Sequence, residues 1–196
     1  MPPRPTDGAR PGDPAFSKTS ETELHRGWVF SVVRAEFTGP DGERFERDIV
    51  RHPGAVAIVP VTAAHGVLLV RQFRPAVGRW LYEIPAGTCD VDHEAPEATA
   101  HRELAEEVGR SAGTLTLLTR MLNTPGFCDE ETAVYLGTDL AVVDDDRQGV
   151  EERYLTVEEV PLDRFDALVD DGTIVDAATI LGVGLARRCL DAAPAR

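Results

Sequence analysis

Apolar residues in this chain come in short blocks separated by glycine, proline and charge, and the period within each block predicts its element. Residues 28–37, Trp-Val-Phe-Ser-Val-Val-Arg-Ala-Glu-Phe, are rich in strand formers. Thr38-Gly39-Pro40-Asp41-Gly42 supplies a turn, and residues 44–51 return as a heavily charged strand, so 27–51 reads as a β-hairpin. A lone hairpin is marginal in water, so it must pack on the following domain or on a second copy of the chain. Residues 54–61 are almost wholly apolar and predict a central strand covered on both faces. Further strands are predicted at 66–73, 80–84, 115–122, 133–137 and 154–157. Pro96 suits a first helical turn, and Gly109 suits the residue that ends a helix. Between them Ala98, Leu104 and Val108 are expected to face a core. Pro161 is expected to open a helix running to about Leu168, and 176–190 reads as a final helix. Strands and helices in this mixture predict an α/β sandwich.

Composition narrows the picture. With 196 residues and 42% apolar content, the chain suits one domain with a real core, with room for an appendage. Residues 1–14 hold five prolines and two glycines and read as a disordered tail without the apolar centre of a signal peptide. The net charge, 20 minus 34 or −14, argues against nucleic acid or an acidic membrane as partner. An anionic substrate would therefore need local positive charge. No apolar stretch nears the ~20 residues that span a bilayer. Cys89, Cys128 and Cys189 have no ligand spacing and read as reduced thiols of a cytoplasmic protein.

The predicted helix at 96–109 carries the chemistry. Glu103, Glu106 and Glu107 stand three and four residues apart and share one side of it. Like charges at that spacing destabilise an isolated helix, and a hard divalent cation would relieve them. Taken alone, the same pattern describes a solvated acidic face. Arg102 and His101 are close enough in sequence to orient the acids. The surrounding order of residues resembles the Nudix box, the signature of the Nudix hydrolases. Glu94, seven residues, and then Arg102-Glu103-Leu104-Ala105-Glu106-Glu107-Val108-Gly109 match it. The chain departs from the box twice: Gly87 lies seven residues before Glu94, one more loop residue than the pattern has, and Arg110 replaces the final apolar position.

From about Phe16 to Leu190 the chain most resembles the ADP-ribose pyrophosphatases of that family. The resemblance is carried by residues 54–59, by Gln72-Phe73-Arg74, by Tyr82-Glu83-Ile84-Pro85-Ala86-Gly87 and by Thr124-Pro125-Gly126-Phe127. It implies a Nudix α/β/α sandwich with a mixed sheet, preceded by a small N-terminal antiparallel β region. The tail would span 1–14, a dimerising β-hairpin region 15–53, and the hydrolase domain 54–192. The activity implied is hydrolysis of ADP-ribose to AMP and ribose 5-phosphate. Alternatives are another nucleoside diphosphate sugar, such as a GDP-hexose, or a non-catalytic ADP-ribose sensor.

The resemblance also implies roles for single residues. Glu103, Glu107 and the backbone carbonyl of Ala86 would bind Mg²⁺, with Mn²⁺ as a substitute. Glu106 would assist, and Arg102 would orient the acids. A glutamate on a late loop would activate water; Glu152 is favoured and Glu151 is second. Arg74 would contact the diphosphate, for which a guanidinium fork is suited. Trp28 would stack on adenine with Arg47, or with Phe45 in its place. Glu83 would accept hydrogen bonds from ribose, and Phe127 would line the terminal ribose pocket. Each of these also has an ordinary alternative as a packing or surface residue. A homodimer that exchanges the hairpin between subunits is implied as well.

Overall fold

The computed structural model describes residues 10–144 and 153–192. The chain divides into two compact units, one of residues 1–53 with 124–130 and one of 54–123 with 131–196.

In the first unit, β1 (Ser17–Arg26), β2 (Ser31–Thr38) and β3 (Arg44–Arg51) form an antiparallel sheet in chain order. The expected hairpin is therefore β2 and β3, with one strand more. Strand β1 was not expected because Ser-Lys-Thr-Ser-Glu-Thr-Glu-Leu-His-Arg shows no apolar alternation, and all ten residues are exposed. It is held by backbone pairing to β2 and by ion pairing of Glu21 with Arg51. Strand β2 also begins later than expected. Gly27 N–H donates to the Phe30 carbonyl at 2.8 Å, so Trp28, Val29 and Phe30 form the connection and not the strand. The segment Thr124–Glu130 is tied to the end of β3. Val50 N–H donates to the Phe127 carbonyl at 2.8 Å, and Arg51 Nη1 pairs with Asp129 at 3.0 Å.

The second unit contains β4 (Ala55–Pro60), β5 (Gly66–Arg74), β6 (Arg79–Glu83), β7 (Ala86–Thr88), α1 (Pro96–Val108), β8 (Arg110–Leu122), β9 (Glu131–Val142), β10 (Thr156–Pro161), α2 (Phe165–Asp170) and α3 (Ala177–Ala192). One sheet is mixed, in the order β7-β4-β9-β8, with β4 and β9 parallel. The other is antiparallel, in the order β10-β5-β6. Alternate residues of the central strands feed two cores, because successive side chains of a strand point to opposite faces. Val56, Ile58, Leu68, Val70, Ala133 and Tyr135 pack with Ala100, Leu104 and Val108 of α1. Ala57, Val59, Val67, Leu69, Val134 and Leu136 pack with Val183 and Ala186 of α3. A helix thus covers each face, which is the α/β/α sandwich expected, and β4 is apolar throughout because neither of its faces meets water.

Several boundaries differ from expectation. Strand β8 starts at Arg110, directly after the helix, and β9 runs on to Val142. The added length is largely polar and carried by pairing between the two strands, which leaves no apolar signature. Pro161 closes the edge strand β10 against Gly66, and α2 begins only at Phe165. Proline is tolerated at a strand end on a sheet edge because it gives no ladder N–H. In α1 the buried positions are Thr99, Ala100, Leu104, Glu107 and Val108, while Ala98 is exposed. Ala100, Leu104 and Val108 repeat every four residues and stay on one face; Ala98 lies six from Leu104 and rotates away.

Candidate active site

Helix α1 is built at both ends by local sequence. Pro96 occupies the first turn, and Gly109 adopts a left-handed conformation, φ 65° and ψ 39°, that returns its N–H to the Ala105 and Leu104 carbonyls. Burial of Ala100, Leu104 and Val108 fixes the rotation of the helix about its axis. That rotation turns Glu103 and Glu107 toward β7.

Glu107 is only 5% exposed, and its Oε2 accepts the Ala86 N–H at 3.1 Å. Glu103 lies against the backbone of Gly87. A Cβ on Gly87 would stand 2.5 Å from Glu103 Cγ and closer still to its carboxylate. Glycine at 87 therefore leaves a space that the Glu103 side chain fills. Arg102 draws the acids together: its Nη1 donates to Glu103 at 2.7 Å and to Glu106 at 3.1 Å, and its Nη2 donates to Glu94 at 3.2 Å. Burial opposes the charge on Arg102, but the hydrogen bond to Glu94 and the fields of three glutamates outweigh it, so its pKa rises above the ordinary arginine value. The same bond holds the Glu94 carboxyl below its usual range. Thr99 adds a second donor to Glu94 at 2.9 Å. Among the described residues, no three His, Cys, Asp or Glu side chains converge closely enough to cage an ion by themselves. The donor set still suits a hard cation: carboxylate oxygens of Glu103 and Glu107 beside the backbone of Ala86 and Gly87, with Glu103 oriented by Arg102 and Glu107 by the Ala86 N–H.

Arg74 and Glu83 form a second charged centre. Arg74 Nη2 reaches Glu83 Oε2 at 2.5 Å and its Nε reaches both carboxylate oxygens at 3.0 Å, while Gln72 Nε2 donates to the same carboxylate at 3.2 Å. Burial works against the Arg74 charge, and Glu83, then Glu107 and Asp176, more than restore it. Glu83 thus accepts from both Arg74 and Gln72.

The remaining expected residues lie in the first unit or outside the description. Trp28 is fully exposed and lines a shallow cavity of about 290 Å³ with Arg26, Phe30, Arg51 and His52. Arg47 is exposed, with its guanidinium 4.9 Å above the Phe45 ring. Phe127 is exposed on the loop tied to β3. Glu151 and Glu152 lie outside the described residues. Two contacts of the site were not expected from sequence: that of Glu94, known there only as a position of the box, with Arg102, and that of Thr179, whose Oγ1 accepts the Ile84 N–H at 2.9 Å. The Asp-x-x-Thr order at 176–179 is a helix-start signal, but nothing in it names the strand that it touches.

The fold and the carboxylate-bearing helix define a class, and comparison with known proteins gives its name. The NUDIX domain model matches residues 51–177, and the chain belongs to that family. It is 37% identical to an ADP-ribose pyrophosphatase of Bacillus subtilis (strain 168), over 84% of this chain and 88% of the relative. It is 39% identical to an ADP-ribose pyrophosphatase of Mycobacterium tuberculosis, over 86% of this chain and 81% of the relative. The crystal structure of an ADP compounds hydrolase superposes with a TM-score of 0.77 at 23% identity, covering 91% of this chain and 94% of that one, and shows the shared fold.

Proposed function

We propose that this protein hydrolyses the pyrophosphate bond of ADP-ribose, giving AMP and ribose 5-phosphate, in the presence of Mg²⁺. The observation that carries the reading is the buried Glu107 beside Glu103, Glu106 and Arg102, set against Ala86 and Gly87. The two relatives named ADP-ribose pyrophosphatase support the choice of substrate.

Glu103, Glu107 and the Ala86 carbonyl hold the cation, and Mn²⁺ can replace Mg²⁺ there. When bound, the ion neutralises pyrophosphate charge and lowers the pKa of a coordinated water. Arg102 orients Glu103 and Glu106 through its Nη1 and is itself held by Glu94; Glu106 assists from the rim. Arg74, steadied by Glu83, offers guanidinium N–H groups to the diphosphate. Trp28 and Arg47 hold adenine, Phe127 lines the terminal ribose, and Glu152 is the general base. Residues 15–53 pair two subunits into a homodimer. Three cysteines without a disulfide support a cytoplasmic setting.

The test is phosphate-coupled turnover of a panel of nucleoside diphosphate compounds with Mg²⁺, with and without a chelator. Chelator-sensitive AMP release from ADP-ribose is expected. Turnover of a GDP-sugar with silence on ADP-ribose would keep the metal site and overturn the adenine pocket. Tight ADP-ribose binding without turnover would favour a sensor.

A further inference from the structure

We propose that Thr179, at the start of α3, is a positioning residue for the backbone that offers the Ala86 carbonyl. The inference rests on the reading that Ala86 is a metal ligand. Residues 84 and 85 lie between β6 and β7, where strand pairing lapses. Among the described residues, three bonds to other elements hold residues 84–86. Ile84 N–H donates to Thr179 Oγ1 at 2.9 Å, the Pro85 carbonyl accepts from Ile58 N–H at 2.9 Å, and Ala86 N–H donates to Glu107 Oε2 at 3.1 Å. The segment is thus gripped by α3, by β4 and by α1. Ile84 is 1% exposed, so its N–H depends on the threonine for a partner.

The hydroxyl is aimed by chemistry. Thr179 is 0% exposed, and its Oγ1 lies 2.7 Å from Asp176 Oδ2. An ionised carboxylate only accepts, so the hydroxyl proton goes to Asp176 and the oxygen lone pairs remain for Ile84. Asp176 Oδ2 also accepts the Thr179 N–H at 2.8 Å, which caps the helix and fixes the threonine backbone. One turn on, Gly182 lets α3 sit close to the same segment: a Cβ there would stand 3.0 Å from Ile84 Cδ1 and 3.1 Å from Val59 Cγ2. Cap, hydroxyl and glycine together place the final helix of the chain where it sets a backbone position at the site. Groups that orient a ligand without touching the ion are worth about 10–100-fold in affinity or activity.

The test uses the full chain and three variants. Thr179→Val keeps the shape and removes the hydroxyl, Thr179→Ser keeps the hydroxyl, and Leu190→Ala weakens packing at the far end of α3. Mn²⁺ affinity is read by electron paramagnetic resonance without substrate, and Ile84 amide exchange is read on metal-free protein. Thr179→Val is expected to bind Mn²⁺ about tenfold more weakly and to lower kcat more than it changes KM for ADP-ribose. Its Ile84 amide should exchange faster than in wild type. Thr179→Ser should stay near wild type in all three, and Leu190→Ala should lower Tm alone. Wild-type Mn²⁺ affinity in Thr179→Val, or equal losses in Thr179→Ser or Leu190→Ala, would overturn the proposal. Should Thr179→Val not fold, Asp176→Asn takes its place, with a smaller loss of affinity expected and no loss overturning the idea. Wild-type protein that binds no Mn²⁺ would overturn the metal reading instead, a different outcome from an intact metal site indifferent to Thr179.

Discussion

Adding one methyl group at Gly87 should silence this enzyme and leave its fold intact. Gly87 pairs with Val56 in the mixed sheet, and its φ lies outside the left-handed region, so alanine fits the backbone without strain. The new Cβ would stand 2.5 Å from Glu103 Cγ, whereas unstrained carbon contacts begin near ~3.5 Å. The carboxylate stands closer still, so Glu103 must retreat by more than about 1 Å. Its carboxylate is the end of a flexible side chain, so the retreat costs little stability. Alanine also restricts the unfolded chain, worth about 0.4–1 kcal/mol in favour of folding. Displacing a reacting group by that distance costs on the order of 10²-fold in rate. The expected result for Gly87→Ala is thus an unchanged or slightly raised Tm with kcat reduced about a hundredfold, and Mn²⁺ binding weakened in parallel. Thermal melts, a Mn²⁺ titration and ADP-ribose turnover on one preparation measure all three. Wild-type kcat and Mn²⁺ affinity would refute the placement of Glu103 at the metal, and a collapsed Tm would refute the claim that its side chain can yield.

Three other outcomes are expected. Glu107→Gln should fold, since an amide oxygen can still accept the Ala86 N–H, yet lose turnover; equal activity would defeat the metal assignment. Leu104→Ala empties a fully buried position between α1 and the sheet, and urea unfolding should report a loss of about 2–5 kcal/mol. Glu21 has its pKa lowered from 4.5 to about 2, first by the hydrogen bond from Arg51 and then by that from Lys18. A depressed carboxyl stabilises the folded state above its unfolded pKa and loses that contribution as pH falls through the folded one. The Tm gap between wild type and Glu21→Gln should accordingly be largest above pH 4.5 and shrink as pH drops toward about 2; a gap that widens in acid would contradict the pairing.

The residues show where sequence suffices. Pro96, Gly109 and the glutamate spacing determine a helix with its acids on one side, because these are local effects of ring closure, left-handed conformation and a 3.6-residue period. The unbroken apolar run at 55–60 announces a strand buried on both faces, because nothing polar in it could meet water. Strand β1 left no such trace, since it is exposed throughout and held by backbone bonds that any sequence can make. Tertiary structure alone decided the partners. Glu107 meets the Ala86 N–H, Glu103 fills the space above Gly87, and Thr179 reaches Ile84 across 95 positions of chain. Each of these joins elements distant in sequence, and their meeting depends on how α1 and α3 dock on opposite faces of the sheet. Local sequence was enough for the elements with an apolar period or end signals and for the residue types available to the site; the packing of those elements set which atoms meet, because close contact depends on where whole faces are buried and not on local spacing.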